Sequence, residues 1–308
     1  MRYVNCNYCG SDNSEPVNHG PDLLLNRHQE FYLVRCYHCG LIYQNPQLTL
    51  DELPAHYPEE YKPYRRDVQS ETQFTRRIDA QYGLTRRCRQ LMKYFPGPGK
   101  LLDIGCATGL FLNEMQGYGW RVRGVELSPY AAEYARQTFA LDVVTGTLET
   151  AEFPPDNFDV VTMWDVLEHV TEPKYTLAEI GRVLKPGGML ALSLPNPGCI
   201  EAQLFGVYWI GWDRPRHLHL FTTAVLRNYL TDAGFRDIKV ESLGGRLGLT
   251  LLSIQLLLNN KNISPQKSER WLNLLYNWPL RAATWPIYRL LEKLNQTTVM
   301  TVFARLPA

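Results

Sequence analysis

No stretch of this chain stays apolar long enough to cross a membrane as a helix. A spanning helix needs about 20 consecutive apolar residues, and no run here reaches that length. The N-terminus, Met1-Arg2-Tyr3-Val4-Asn5, also lacks the apolar core of a secretory signal peptide. We therefore expect a cytoplasmic protein in a reducing compartment.

The chain also lacks an excess of either charge. It carries 32 basic and 31 acidic residues, a formal net charge of +1, so no overall field attracts nucleic acid. It contains no internal repeat or low-complexity tract. At 308 residues and 45% hydrophobic content, the chain is large enough for a sizeable core and for more than one domain.

Cysteines are few, and three of the seven have no partner at a meaningful spacing. These three are Cys88, Cys106 and Cys199, which we expect to be small hydrophobic residues of the core. The remaining four form two knuckles, Cys6-x-x-Cys9-Gly10 and Cys36-x-x-Cys39-Gly40, with 26 residues between them.

Two such knuckles predict a closed tetrahedral zinc site in which Cys6, Cys9, Cys36 and Cys39 are the metal ligands. A site with no open coordination position stabilises a small subdomain and does not catalyse a reaction. Two disulfides are the alternative, but a reducing compartment disfavours them. His38 lies inside the second knuckle and could also serve as a ligand.

A glycine-containing turn stands between an apolar run and an apolar helical pattern, in the segment Leu101–Gly109. Small residues let a ligand approach the backbone, and the helix that follows offers free N–H groups. Its small residues stand at Gly105, Ala107 and Gly109, which does not match the G-x-G-x-x-G spacing of a nicotinamide site. Glu126 ends a second apolar run 21 residues after Gly105, the spacing at which a carboxylate meets ribose hydroxyls.

This segment resembles the cofactor loop of the class I S-adenosylmethionine-dependent methyltransferases. The resemblance continues in order along the chain: Asn157–Trp164 as the fourth strand, Leu184-Lys185-Pro186-Gly187-Gly188 as a turn, and Met189–Leu194 as the fifth strand. It implies an α/β fold, a Rossmann-like seven-stranded methyltransferase sheet, with S-adenosylmethionine as the cofactor. It also implies that the last strand is antiparallel and lies between the fifth and sixth.

The same resemblance implies a set of cofactor-binding residues. Asp103 would orient the amino group of the cofactor, Glu126 would hold the ribose hydroxyls, and Leu127 would cover one face of the adenine. The full predicted set is Asp103, Gly105, Ala107, Gly109, Glu126, Leu127, Thr147, Leu148, Trp164 and Asp165. Leu127 and Trp164 could equally be core residues, whereas a carboxylate that ends an apolar strand is costly without a partner.

Candidates for a general base fall after the fourth and fifth strands. The segment Asp213-Arg214-Pro215-Arg216-His217 resembles a D-x-P-x-H stretch of zinc-module methyltransferases that act on sugars and secondary metabolites. His217 is the first candidate for the base or for orienting the acceptor, followed by His169, with Asp213 as a third catalytic candidate. The alternative is that these side chains make only structural hydrogen bonds.

Hydrophobic periodicity divides the chain into four parts. We expect a zinc-ribbon-like module over residues 1–58 and a connector with an N-terminal helix over 59–99. The methyltransferase core then covers 100–245 and 296–308, with a helical insertion over 246–295. Strands are predicted near 100–105, 121–126, 142–146, 158–164, 188–194, 236–243 and 297–305, and helices near 70–95, 109–117, 129–139, 172–184 and 222–233. The arginine pair Arg86-Arg87 would lie on a solvated face of the first helix, although contact with an anionic substrate is the alternative.

The insertion is rich in Leu, Trp and Arg. Such a segment can form a lid over an apolar acceptor, a contact between copies of the chain, or a peripheral membrane contact. We favour a lid or an oligomer contact, because Pro279 and Pro286 should interrupt a continuous amphipathic helix.

These observations predict methyl transfer from S-adenosylmethionine to a small molecule: a sugar nucleotide, a secondary metabolite or a lipid-like acceptor. An RNA methyltransferase is an alternative, but the charge is balanced and the fourth strand lacks an N/D-P-P-Y/F motif. A non-catalytic scaffold that binds the cofactor would also keep the loop. A nicotinamide-dependent oxidoreductase fits the loop spacing less well.

Overall fold

The computed structural model describes residues 1–49, 51–57, 74–242, 247–260, 263, 265–275 and 278–308. Residues 59–73 of the predicted connector lie outside these ranges, as do Pro58 of the predicted zinc module and parts of the predicted insertion. The helices are α1 Phe74–Tyr94, α2 Leu110–Gly117, α3 Pro129–Phe139, α4 Pro173–Val183, α5 Ile200–Phe205, α6 Thr223–Asp232, α7 Leu247–Asn260, α8 Pro265–Leu275 and α9 Trp278–Lys293.

The strands are β1 Ser14–Asp22, β2 Arg27–Cys36, β3 Ile42–Gln44, β4 Lys100–Ile104, β5 Arg121–Glu126, β6 Val143–Thr145, β7 Phe158–Trp164, β8 Leu184–Pro195, β9 His219–Leu220, β10 Arg236–Glu241 and β11 Val299–Arg305. Short 3-10 helices cover Leu53–His56, Leu167–His169, Gly206–Tyr208 and Ile210–Trp212.

The larger sheet has seven strands in the order β10-β11-β8-β7-β4-β5-β6. Strands β4 to β8 are parallel where their pairing is defined. The last strand lies between β8 and β10, as predicted, and hydrogen bonds from Leu306 N to Gly188 O and from Asn196 N to Thr298 O show that it runs antiparallel to β8. This confirms the predicted fold class.

The parallel strands are apolar because helices cover both faces of such a sheet. Val160, Val161 and Met163 of β7 and Leu190 and Leu192 of β8 are fully buried. The carboxyl ends of neighbouring parallel strands meet at one edge, where ligands bind in open α/β sheets. Asp103 and Glu126 stand at this edge, on the adjacent strands β4 and β5.

The smaller sheet has four antiparallel strands in the order β1-β2-β3-β9. The N-terminal knuckle precedes β1, and the second knuckle joins the end of β2 to β3. The sequence predicts a hairpin in which Phe31–Arg35 leads into the second knuckle and then Leu41-Ile42-Tyr43, and these segments correspond to β2 and β3. It missed β1, which contains two prolines and a glycine, and β9, which is only two residues long.

Two compact units can be described. One comprises residues 1–56, 194–226 and 240–301, and is called the zinc-module unit below. The other comprises residues 57–193, 227–239 and 302–308, and is called the sheet unit. Both are built from separated stretches of the chain, so neither coincides with one of the four predicted parts.

The helical insertion forms a small core of its own within the zinc-module unit. Leu247, Leu251 and Leu272 are buried together, and Leu280 and Tyr288 of α9 pack against them. The expectation that the two prolines interrupt the helix is wrong. Pro279 lies in the first turn of α9, where no intrahelical N–H bond is lost, and the helix continues through Pro286. None of the described helices is long and apolar enough to cross a membrane.

Candidate active site

The turn between β4 and α2 adopts a left-handed backbone at three of its small residues. Gly105, Ala107 and Gly109 have φ angles of 70°, 47° and 81°. Glycine takes this conformation freely, whereas alanine does so at a cost of about 1 kcal/mol. The turn therefore depends on its small residues for its shape, and Ala107 contributes local strain.

Packing also requires glycine at positions 105 and 109. A Cβ atom on Gly105 would lie 2.5 Å from Cγ2 of Val166, and one on Gly109 would lie 2.5 Å from Cδ1 of Leu141. No side chain larger than hydrogen fits at either position without movement of its neighbours. The turn thus packs closely against Val166 and Leu141 at the edge where β4 and β5 end.

Glu126 fixes this turn through both of its carboxylate oxygens. Oε2 accepts a hydrogen bond from the Ala107 N–H at 2.9 Å, and Oε1 accepts one from the Ser128 N–H at 2.8 Å. The side chain is buried, which raises its pKa, while the backbone N–H donors act in the opposite direction. Each carboxylate oxygen keeps a further lone pair with which it can accept a ligand hydroxyl.

Asp103 is the second buried carboxylate of this edge. Its Oδ1 accepts a hydrogen bond of 2.6 Å from the hydroxyl of Thr162 on the neighbouring strand β7. Burial raises the pKa of Asp103 to about 7. The Thr162 hydrogen bond and the charge of Arg87 lower this pKa, and the charge of Glu126 raises it. A cationic ligand group beside this carboxyl would favour its ionised form.

Arg87 of α1 reaches the end of β7. Its guanidinium carbon lies 4.6 Å from the centre of the Trp164 ring, and NH2 lies 3.5 Å from Oδ2 of Asp165. Oδ1 of Asp165 accepts a hydrogen bond of 2.8 Å from the Ser193 hydroxyl. The prediction that Arg87 lies on a solvated helix face is therefore incomplete, since this side chain packs on a predicted cofactor residue.

The remaining predicted cofactor residues differ in exposure. The side chain of Leu127 is 66% exposed beside Glu126, so a ring could lie against it. Leu148 is buried, which leaves its backbone as the part able to meet a ligand. The Thr147 N–H donates to Oγ1 of Thr150 at 2.9 Å and so belongs to a tight local turn.

His169 ends the short 3-10 helix that follows β7. Its Nδ1 lies 2.9 Å from the hydroxyl of Tyr57, and the two rings meet edge to face. Tyr57 is the last described residue before the range 58–73, and the sequence offered no signal for this contact. The pair holds the imidazole of His169 in one orientation within the sheet unit.

His217 belongs to the zinc-module unit and is buried. Its Nδ1 lies 2.8 Å from the carbonyl oxygen of Gly211. A carbonyl oxygen can only accept, so Nδ1 carries the proton and donates it. In the neutral ring, Nε2 is therefore the nitrogen with the lone pair, which is the form a general base requires.

Asp213 is engaged mainly with Arg216. Its Oδ1 accepts from Nε and NH2 of Arg216 at 2.9 and 2.6 Å, while its Oδ2 lies 3.9 Å from Nε2 of His217. The same guanidinium donates to both carboxylate oxygens of Asp22 at 2.8 Å each. Because Arg216 and Asp22 are fully buried, this ion network holds the 213–217 segment against the end of β1.

The four predicted zinc ligands lie together at one end of the small sheet. Sγ of Cys6 is 3.4 Å from Sγ of Cys39, and Sγ of Cys9 is 3.5 Å from Sγ of Cys36. All four sulfurs lie within 4.8 Å of one another. Zinc–sulfur bonds of about 2.3 Å in a tetrahedron place sulfurs roughly 3.8 Å apart, so the cluster has the size of a four-cysteine zinc site.

A family model described as a methyltransferase domain matches residues 76–240 of this chain. That is more than half of the 308 residues, and it covers the turn, both buried carboxylates and His217. The chain belongs to the methyltransferase-domain family. This confirms the predicted class, the class I S-adenosylmethionine-dependent methyltransferases.

Curated relatives of this methyltransferase match only part of it. The ubiquinone biosynthesis O-methyltransferase of Idiomarina loihiensis is 30% identical over 157 residues, which are 47% of this chain and 64% of the relative. The mitochondrial ubiquinone biosynthesis O-methyltransferase of Schizosaccharomyces pombe is 39% identical over 102 residues, or 30% of this chain and 37% of the relative. The chain thus spans less than two thirds of these relatives.

A solved structure shows the same fold. Phosphoethanolamine N-methyltransferase 2 of Haemonchus contortus, in complex with S-adenosylmethionine, has a TM-score of 0.51 and 20% identity. The match covers 72% of this methyltransferase and 52% of the other chain. At this identity the likeness concerns the fold alone, and the individual site residues stay predictions.

Proposed function

We propose that this methyltransferase binds S-adenosylmethionine at the turn between β4 and α2 and methylates a hydroxyl group of a small molecule. The observation that carries the proposal is the pair of buried carboxylates, Asp103 and Glu126, on adjacent strand ends beside a turn that excludes side chains. Each carboxylate accepts hydrogen bonds from the protein, yet burial still raises its pKa, so a further donor or a cation would stabilise its charge. The hydroxyl and ammonium groups of the cofactor are suitable partners.

When bound, S-adenosylmethionine supplies a methyl group on a sulfonium. Glu126 would accept hydrogen bonds from the ribose hydroxyls, and Leu127 would lie against the adenine. Asp103 would hold the ammonium group, directly or through a water. Arg87, whose charge reaches Asp103 and Asp165, would pair with the carboxylate of the methionyl part.

A hydroxyl acceptor needs a residue that takes its proton as the oxygen attacks the methyl carbon. We assign this role to His217, whose Nδ1–H is held by the Gly211 carbonyl so that Nε2 is the basic nitrogen. His169 is the second candidate. The names of the relatives, O-methyltransferases of ubiquinone biosynthesis, support a hydroxyl on a small molecule as the acceptor group.

Asp213 has a different role in this proposal. Its carboxylate is bound by the buried guanidinium of Arg216, so we expect it to position the 213–217 segment and not to contact the acceptor.

We further propose that Cys6, Cys9, Cys36 and Cys39 hold one structural zinc ion. Burial raises the pKa of the Cys6 thiol to about 11, and a bound cation would stabilise the thiolate there. Elemental analysis should find one zinc per chain. Cys36→Ser should lose it and lower the melting temperature. Cys199→Ser, which alters a cysteine outside the cluster, should retain the metal.

Cofactor binding is tested by calorimetric titration with S-adenosylmethionine. Arg87→Gln should weaken binding about tenfold or more because a partly buried charge pair is lost, whereas Arg86→Gln on the same helix should change it little. If the wild-type protein does not bind the cofactor, the proposed function is wrong. If both variants bind equally well, only the role of Arg87 is wrong.

Turnover is tested with a panel of acceptors that bear phenolic, sugar or aliphatic hydroxyl groups, with methylated product detected by mass spectrometry. His217→Gln should lower turnover by about 100-fold or more while the affinity for S-adenosylmethionine is unchanged. His28→Gln, at an exposed histidine, is the matched control. Binding of the cofactor without turnover of any acceptor would favour a non-catalytic scaffold. Unchanged turnover in His217→Gln would show that His217 is not the base, and His169→Gln would then be tested in the same way.

A further inference from the structure

The outer face of α9 is apolar and exposed. Trp285, Ile287 and Leu290 are 62%, 57% and 57% exposed, and Leu294, directly after the helix, is 58% exposed. At about 100° per residue, these positions share a sector of roughly 200° with Pro279, Ala282, Ala283 and Pro286. A contiguous exposed apolar face of this kind usually marks a contact surface.

The opposite face of α9 fixes which side chains point outwards. Leu280 and Tyr288 pack on the buried cluster of Leu247, Leu251 and Leu272. The hydroxyl of Thr284 donates to the Leu280 carbonyl at 2.8 Å. The exposed sector is therefore set by packing within the zinc-module unit.

Charge on this helix has one sign where it meets solvent. Arg289 and Lys293 lie in the exposed sector, one turn apart, and the Arg289 guanidinium lies 5.8 Å from the centre of the Trp285 ring. The only acidic residue of α9 is Glu292. Its side chain is 7% exposed and pairs with Arg289 at 3.0 Å.

We propose that the outer face of α9 lies in the interface of an anionic lipid bilayer. A helix with Trp, Leu and Ile beside Arg and Lys is the pattern of an interfacial helix, in which apolar side chains enter the headgroup boundary and cations meet lipid phosphates. The long cationic side chains extend towards the headgroups while their stems cover apolar surface. Because α9 is continuous through Pro286, it presents this pattern along about 24 Å.

Charge complementarity selects the bilayer over a second copy of the chain. In a twofold dimer through this face, Arg289 and Lys293 of each copy would lie in the same contact as those of the other. Like charges at such a contact are destabilising. An anionic surface instead gains from each cation. The contact is peripheral, since none of the described helices can span a membrane, and it does not depend on the proposed methyl transfer.

The test is flotation of the full-length, zinc-loaded protein with lipid vesicles. We expect flotation with vesicles that contain about one third phosphatidylglycerol in phosphatidylcholine, and little with phosphatidylcholine alone. The Arg289→Gln/Lys293→Gln variant should partition about 25-fold more weakly, at about fivefold per cation. Leu290→Ser/Leu294→Ser should weaken partitioning by about tenfold or more.

Matched controls lie on α4, where Lys174 and Tyr175 are exposed. Lys174→Gln and Tyr175→Ser should partition like the wild type, and the variants at solvent-facing positions should melt at the wild-type temperature. Arg289→Gln also breaks the pair with Glu292, so flotation of that variant is compared below its measured melting temperature. Quenching of tryptophan fluorescence by brominated lipids should fall in Trp285→Phe. The proposal is overturned if the wild type does not float with anionic vesicles, or if the α9 variants float as it does. A lipid-free dimer that Leu290→Ser/Leu294→Ser dissociates would reassign the face to a second copy.

Discussion

At the scale of single residues, Asp103 combines a structural cost with a proposed role in cofactor binding. Its carboxyl is buried and receives the Thr162 hydroxyl, yet burial raises its pKa to about 7. Between about pH 4 and pH 7 the folded state therefore holds a proton that the unfolded state has lost. Rising pH across this window destabilises the ligand-free fold.

The affinity for S-adenosylmethionine should accordingly rise between pH 6 and about pH 7.5, because the ammonium group of the cofactor favours the ionised carboxyl. Asp103→Asn should bind the cofactor weakly and without this pH dependence. Thr162→Val removes the hydrogen bond that lowers the pKa, so it should move the rise to higher pH. Calorimetric titration across the range measures all three. A flat profile for the wild type would contradict the prediction.

At the scale of elements, the turn that precedes α2 requires glycine at positions 105 and 109. The backbone is left-handed at both residues, and a Cβ atom at either would clash with a neighbouring side chain. Gly109 has a φ of 81°, and a Cβ there would meet both Leu141 and Ala135. Gly117, the last residue of α2, has no atom within 4 Å of the Cβ position and no positive φ. The same substitution at the two ends of one helix should thus have opposite effects.

Gly109→Ala should destabilise the turn by about 2 kcal/mol or more, from backbone strain and overpacking together. Gly117→Ala should be neutral or should stabilise α2 by a few tenths of a kcal/mol to about 1 kcal/mol. Hydrogen exchange of the α2 amides measures both. Equal protection in the two variants would contradict this account.

The strands of the large sheet were predicted from apolar runs to within a few residues, because parallel strands are buried on both faces. Strand β8 begins at Leu184 and not near residue 188, since the segment predicted as a turn pairs with Phe158 on one side and with the C-terminal residues on the other. Strand β1 was not predicted, because its two prolines and one glycine interrupt the alternation of apolar and polar residues that is typical of a strand. It pairs with the next strand, β2, as a hairpin whose partners run from Asp22 with Arg27 to Ser14 with Cys36.

At the scale of the whole molecule, buried charges connect distant parts of the chain within the zinc-module unit. Arg216 is bound by Asp22 at 2.8 Å, by Asp213 at 2.6 Å and by the His56 carbonyl at 3.3 Å. These partners lie up to 194 positions away. Removing one member of a buried ion pair costs about 3 to 5 kcal/mol, because the other charge is left without compensation.

Asp22→Asn and Arg216→Met should each reduce the protection of β1 and β2 amides against hydrogen exchange by about this amount. The double variant Asp22→Leu/Arg216→Met should recover part of the loss. Arg35→Met breaks an exposed pair with Glu15 and should change stability by about 1 kcal/mol or less. Equal effects at Arg35 and Arg216 would show that burial does not govern the network.

The sequence alone identified S-adenosylmethionine as the methyl donor of this protein. The spacing of Asp103, the small-residue turn and Glu126, with the apolar strands that follow, is local information, because each motif is formed by consecutive residues. The same holds for the two cysteine knuckles, although their approach to a single cluster needed the fold.

Only the tertiary structure decided which polar side chains meet across long separations. It paired Arg87 with Trp164 and Asp165, Tyr57 with His169, and Arg216 with Asp22, and it set the tautomer of His217 through the Gly211 carbonyl. It also showed α9 as one helix with an apolar and cationic outer face, where proline had suggested an interruption. These outcomes depend on how packed elements orient side chains, and no local sequence pattern specifies that.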